Sequence, residues 1–461
     1  MEKTLKKLLV STLFIGSIMS CSNEKDPLES TITPENPEVT LPNDSTEVTN
    51  PDSTVVVEPG DSVAVEPAPP VDVELTETQV LLDGKAVEVT YWIEPGQSSV
   101  NGNDIPAGSV VAFRPSATPR GRLYFNYLIG TESKPITIIN KDQVVIAGTE
   151  SGKHAVGFIG CQNIRVLGSG NPNIKYGIHI AESGSSGMTF DQKSTGVEVA
   201  YAEIENTGFA GILCKTDNAG SGWTMSNIKF HHNHIHDTHG EGIYLGQTAV
   251  ANAHPIKNVR IHHNLIHDTG WDLFQVANVT GDIEVYNNTM INGGKENEPM
   301  QNQGFQIGDW STGKYYNNIV SGSKSRFLFM KGGHDIDLYN NYFSSVESDS
   351  EGTFLKTEAK YVTSAVLDIH DNWFRDYQDV LFKSMITVHE VRIHDNKINP
   401  RNNNGQFIVY SSGASDANHK IENNPVTNLP AIELNSDYTV KSGSYYDGYS
   451  LGYEANDNAY N

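Results

Sequence analysis

The chain has 461 residues, and its 56 acidic against 32 basic side chains give a formal charge of −24. Such a balance repels polyanions and argues against a nucleic-acid partner, and three cysteines are too few for a disulfide-built scaffold. No helix-period stretch of useful length follows the first 20 residues, which points to an all-β body.

Residues 1–20 place Lys3, Lys6 and Lys7 before a short apolar run, the pattern of a secretory signal and too short to span a bilayer. Ile18-Met19-Ser20-Cys21 resembles a bacterial lipobox, which implies that Cys21 is lipidated and becomes the mature N-terminus. Ser22–Asp26 resembles the acidic export tag of surface lipoproteins in Bacteroides-like bacteria, so outer-membrane anchoring and cell-surface exposure are expected. The alternative is a plainly cleaved signal with an incidental cysteine.

Residues 21–74 read as a linker. From Ser22 to Glu74 there are 13 acids against one Lys and no aromatic residue, so the segment carries −12 and cannot bury a core. A flexible coil of this length reaches roughly 40 Å. The remaining chain keeps about −14 and has no basic cluster.

Residues 75–126 contain short strand signals broken by Gly and Pro and are expected to cap the N-terminal end of the folded body. From 127 to 417 a repeat dominates. Ile228–Gly246, IKFHHNHIHDTHGEGIYLG, is answered by Val259–Phe274, VRIHHNLIHDTGWDLF. Its Asn recurs at Asn233, Asn264, Asn288, Asn318, Asn341, Asn372 and Asn396, with spacings of 31, 24, 30, 23, 31 and 24 residues. One unit upstream, Ala202 stands in its place. Apolar residues sit three before and two after each Asn. A 20–30-residue period with period-2 alternation is a solenoid signature. Stacked identical amides at a corner bond to their neighbours above and below, and Asn tolerates a left-handed corner. The expected fold is a parallel β-helix of about ten coils with an internal Asn ladder, right-handed by the resemblance given below. Residues 418–461 are expected to add one β-like run and a tail over the C-terminal end. Cys161 and Cys214 read as buried fillers rather than a disulfide or metal pair.

Three features bear on function. Two residues before each ladder Asn stand His231, His262, Tyr286, Tyr316, Tyr339, His370 and His394, an outward stripe read either as cross-strand stacking or as a platform for sugar rings. His236-Asp237-Thr238 and His267-Asp268-Thr269 are open to a divalent ion, Ca2+ being the candidate considered, but are equally explained as turns. The strand after that corner carries the richest chemistry. Taking Ile212, Ile243, Phe274, Phe305, Leu328, Leu381 and Phe407 as inward, Lys215, His239, Glu241, Asp272 and Arg326 fall along one edge as candidate catalytic groups. Tyr244, Gln275, Gln306 and Lys331, with His231 and His262 from the stripe, are candidate substrate-binding groups. Glu241 and Asp272, one coil apart, are placed to raise one another's pKa. The plain alternative for each of these is a charge that solvates the edge.

The NNxI and HDNxF coils, the lipobox and the opening GTESKPITIINKD resemble the right-handed parallel β-helix, pectate-lyase-like superfamily of secreted Bacteroidetes lipoproteins, over roughly Leu123 to Tyr410. That resemblance implies the fold and a polysaccharide partner. It carries no catalytic residue across, because neither the paired-Asp hydrolase signature nor the Lys/Arg pattern of the lyases is present. The expected function is a lipid-anchored, monomeric surface protein acting on an extended glycan as a lyase or glycoside hydrolase. The alternative is a non-catalytic glycan-binding protein or adhesin.

Overall fold

The computed structural model describes residues 74–247, 253–332, 334–346, 351–356, 365–387, 389–402, 405–442, 444 and 451–455. The expected signal peptide at 1–20, Cys21 and nearly all of the expected linker lie outside them. Among the described residues there are strands and two 3-10 turns but no α-helix.

Successive coils contribute strands to three parallel sheets, of 13, 10 and 12 strands among the described residues. In one coil these are Met225–His231 in the first sheet, His234–Thr238 in the second and Ile243–Gly246 in the third. Register between coils is unbroken in the first sheet: Phe230 pairs with Ile261, Val285, Tyr315, Leu338, Ile369 and Ile393 in turn. These residues, with the Ile235 and Ile243 columns, fill one continuous core. Alternation puts their neighbours outside. His231, His262, Tyr286, Tyr316, Tyr339, His370 and His394 form a ring stack there, with centroids 4.8–5.3 Å apart and planes within 8°.

The corner between the first and second sheets holds the ladder. Asn233 Nδ2 donates to Asn264 Oδ1 at 3.0 Å, and Asn264 Nδ2 to Asn288 Oδ1 at 2.9 Å. The pattern continues through Asn318, Asn341, Asn372 and Asn396, all buried, to Asn424. Asn424 is a rung that the repeat spacing did not reveal. The left-handed residue is not the ladder Asn but the one before it: His232, His263, Asn287, Asn317, Asn340, Asp371 and Asp395 have φ between 51° and 56°. This tight corner frees the following amide to align along the solenoid.

Three expectations are corrected. Coils already begin within 75–126, at Tyr91–Ile93 and Ser99–Asn101. What remains outside them is a hairpin, Gln79–Leu82 with Lys85–Glu88, turning at Asp83-Gly84 with positive φ at both. It covers no solenoid end. Val80, Leu82 and Val87 pack on the outer face of the first sheet over Val110, Ala112, Ile139, Leu167 and Ala200, because there the ring-stack positions are apolar and need a cover. The described part of the tail likewise goes beyond the C-terminal end, where Val426 is bridged to Ile398. After the last strand, His419–Glu422, it runs back along the outside of the second sheet, where Ile432 and Leu451 bury Ile291, Ile319, Tyr342 and Trp373. Finally, Glu351–Lys356 supplies a third-sheet strand that the repeat pattern does not announce. Phe382 and Ile408, not Leu381 and Phe407, continue the inward register from Leu328 and Thr353. Cys161 and Cys214 are free and buried.

Candidate functional site

The outer positions of the third sheet run Leu213, Tyr244, Gln275, Gln306 and Phe329 in continuous register. Beside them, at the corner leading into each strand, a second column runs Ala210, Glu241, Asp272, Gln303 and Arg326. Its register is held by backbone bonds from Gly211 N to Glu241 O, Gly242 N to Asp272 O, Leu273 N to Gln303 O and Gly304 N to Arg326 O. Ala210 packs with Leu213 and Tyr244 outside the main core, and Glu241 takes its place one coil on.

These two columns are polar yet buried: Glu241, Asp272, Gln275, Gln303 and Gln306 are each at most 2% exposed. Asp272 Oδ1 accepts from Gln303 N at 2.8 Å, and Gln303 Oε1 accepts from Arg326 Nη1 at 3.2 Å. Five atoms have no hydrogen-bond partner among the described residues: Glu241 Oε2, Asp272 Oδ2, Gln275 Oε1, Gln303 Nε2 and Gln306 Oε1. A buried polar group left unpaired costs about 1–3 kcal/mol. Five such groups in adjacent rungs form a concentrated, one-sided deficit of the kind expected at a functional site.

Burial pushes the Glu241 carboxyl up to about 7, against the smaller opposing pull of its own backbone N–H and the Lys215 charge. Asp272 is also held well above the ordinary carboxylate range, first by burial and further by the neighbouring Glu241 charge, while the Gln303 N–H opposes the rise. Lys215 lies 5.4 Å from the centre of the Tyr244 ring and pairs with Asp217 at 3.3 Å. Arg326 stands 5.9 Å over Phe329. The site therefore joins a carboxyl half protonated near neutral pH, a second carboxyl on the next rung, flanking cations and a row of amides.

Of the residues expected at the site, Lys215, Glu241, Tyr244, Asp272, Gln275, Gln306 and Arg326 belong to this face, and Lys331 ends the strand Leu328–Lys331 at its far edge. His239 does not join Glu241. Its side chain is 56% exposed and faces Glu296 at 3.5 Å. His231 and His262 lie on the first sheet, not the third, within the ring stack. His231 instead meets Glu198, which Arg165 also holds at 2.6 Å. Burial alone would raise the Glu198 carboxyl, but the bond from His231 and the Arg165 charge outweigh it and set it at about 2. That ion-paired region borders a shallow concavity of about 480 Å³ with Glu132, Lys229 and Arg260 on its rim, away from the third sheet. Gln303 stands at the same offset from its inward residue as Glu241 and Asp272 do, but its role appears only once the rungs are stacked.

Residues 130–290 match the family model described as the right handed beta helix region. No curated protein matches the chain. Among solved structures, an alginate lyase from Paenibacillus sp. str. FPU-7 is similar at 14% identity, covering 73% of this chain and 99% of its own, with a TM-score of 0.32. The pectate lyase Pel9A is similar at 10% identity over 81% of this chain and 91% of its own, with a TM-score of 0.44. A GH136 lacto-N-biosidase from Eubacterium ramulus is similar at 14% identity over 70% and 62% of the two chains, with a TM-score of 0.41. These likenesses concern the fold. The chain is a right-handed parallel β-helix.

Proposed function

We propose that this protein cleaves an extended polysaccharide laid along the outer face of the third sheet, with Glu241 as its general acid and then base and Asp272 as its nucleophile. The observation that carries this reading is the stacking of two buried carboxyls on consecutive rungs, Glu241 lifted to about 7 and both flanked by unpartnered amides. A carboxyl near 7 is matched to donating a proton to a leaving glycosidic oxygen at neutral pH. Consecutive rungs are about 4.8 Å apart, which is nearer the close carboxyl separation of retaining hydrolysis than the wider gap of inversion. Gln275, Gln303 and Gln306 offer donors and acceptors to sugar hydroxyls, and a solenoid repeats such contacts along a chain-like ligand. Hydrolysis is favoured over β-elimination because the two best-positioned groups are acids. The reading includes surface anchoring through Cys21, supported by the lipobox and the acidic linker.

The test incubates the protein with a polysaccharide panel and reads reducing ends together with the ultraviolet absorbance of unsaturated products. Reducing ends alone, with turnover lowered about 100-fold or more in Glu241→Gln and Asp272→Asn, are the expected result. Absorbing products would reassign the site to a lyase. Binding without turnover in the wild type would reduce the protein to a glycan-binding module.

A further inference from the structure

We propose a divalent transition-metal site, of the zinc class, on the outer face of the second sheet, with Glu203 Oε1, His234 Nδ1 and His236 Nε2 as its ligands. It is separate from the third-sheet site and does not depend on the glycan reading. The second sheet stacks Glu203 on His234, and Glu205 on His236 and His267, one rung apart. One ligand atom from each of the three residues lies within 4.8 Å of the others. His234 Nδ1 is 3.2 Å and His236 Nε2 is 3.6 Å from the same carboxylate oxygen, Glu203 Oε1.

The hydrogen-bond network around these atoms assigns their protons elsewhere. Asp237 Oδ2 accepts the Nδ1–H of His236 at 2.9 Å, which leaves Nε2 with a lone pair. Asp268 Oδ2 likewise accepts the Nδ1–H of His267 at 2.8 Å. His267 Nε2 then accepts from His234 Nε2 at 2.9 Å, which leaves the lone pair of His234 on Nδ1. Lys295 contacts the other oxygens of Asp237 and Asp268, at 3.8 and 3.3 Å, and keeps both carboxylates in place. With these tautomers two imidazole lone pairs and a carboxylate oxygen converge. This carboxylate–histidine support is the outer-shell pattern of metal-ligating imidazoles.

Two further observations favour a metal ion over protons. His236 Nε2 is buried and has no hydrogen-bond partner. By contrast, His370 and His394 make the same bond to the following Asp, but their Nε2 atoms are taken up by Asp337 and Asp368 at 3.0 Å. The two imidazoles also lie with ring centroids 4.3 Å apart, close enough to share one ion. One doubly charged ion satisfies all three ligands. Two nitrogens and one oxygen suit zinc-class ions rather than Ca2+, which takes oxygen ligands. Three protein ligands leave a coordination position for water. The ligand side chains are 13–24% exposed, so an ion reaches them from solvent.

The test titrates the full-length, untagged protein with Zn2+ and, separately, with Co2+ and Ca2+. One Zn2+ per chain is expected, with Co2+ giving visible d–d bands and Ca2+ failing to compete. Affinity should fall about 100-fold or more in Glu203→Gln and His236→Gln, and about 10-fold in Asp237→Asn. His394→Gln, with its imidazole already satisfied, should bind as the wild type does. Circular dichroism checks that each variant folds. X-ray absorption on the Zn2+-loaded wild type gives an independent readout, with two imidazoles expected per ion. Absence of Zn2+ uptake, equal affinity in folded Glu203→Gln and His236→Gln, or no imidazole scattering would overturn the site.

Discussion

Asn264 and Asn288 share one carboxamide oxygen between two donors: Asn288 Oδ1 accepts both the side-chain Nδ2 of Asn264, at 2.9 Å, and its backbone N, at 3.1 Å. Each ladder amide therefore fixes the backbone of the coil before it as well as its side chain. Asn264 Nδ2 also donates to Phe230 O at 2.9 Å, so its removal disturbs more than one neighbour. Asn264→Ala is expected to cost about 1–3 kcal/mol for each buried group left unpaired. A urea midpoint equal to wild type would count against the ladder as a stabilising device.

Glu241 makes stability depend on pH in a defined direction. Its carboxyl titrates at about 7 in the fold against 4.5 ordinarily, so between these values the folded protein holds a proton that the unfolded chain has released. Stability is thus full below about 4.5, falls as pH rises towards 7 and is level above it. The fall amounts to about 3 kcal/mol. Denaturant titrations of Glu241→Gln at pH 4.5 and 7.5 should lose that component. An unchanged slope would show that Glu241 is not the group responsible.

The C-terminal strap is held by apolar contact over Trp373, Tyr342 and Ile319. Leu451→Asp places a charge in that cluster, which is strongly disfavoured without a partner. Limited trypsin digestion should then cleave after Lys441 faster, and the melting temperature should drop by several degrees. Wild-type digestion kinetics would mean that the strap is secured by its polar bonds alone, such as Gly452 N to Asn317 O at 3.2 Å.

On the proposed lipidation at Cys21, Cys21→Ser should move the protein from the membrane fraction to the soluble fraction, because acyl chains would supply the membrane affinity and the acidic linker none. Retention of the variant in membranes would place the attachment elsewhere.

The fold was legible where the same chemistry recurs at every rung. The amides announce the corner, and the flanking apolar residues at fixed offsets give the strands on either side of it. One step was misplaced: in doublets such as Asn287-Asn288 either residue accepts a left-handed backbone, and only the ladder's geometry assigns it to the first. The third sheet was harder to read because the loops before it vary in length, so Phe382 was displaced by one residue and Glu351–Lys356 was missed. The Glu241–Asp272 column was readable, since both precede an inward residue by two. His239 was drawn in by sequence proximity, although it occupies an exposed corner. Glu203 was missed as a partner of His234 despite lying 31 residues upstream, the same interval that separates Asn233 from Asn264. The hairpin and the strap escaped because no periodicity records which outer face an irregular segment will cover.

The strap has a consequence for the order in which the molecule can be completed. Coils touch only their neighbours, so they can stack one after another as the chain leaves the ribosome. The outer side of Trp373 must wait for Leu451, and Lys175 meets Glu454 only across 279 residues. At 5–20 residues per second, the interval between synthesis of Trp373 and Leu451 is roughly 4–16 s. During it the last coils are added while one greasy flank stays open. A chain truncated before Leu451 would leave that flank open permanently and mark the product for chaperones and proteases.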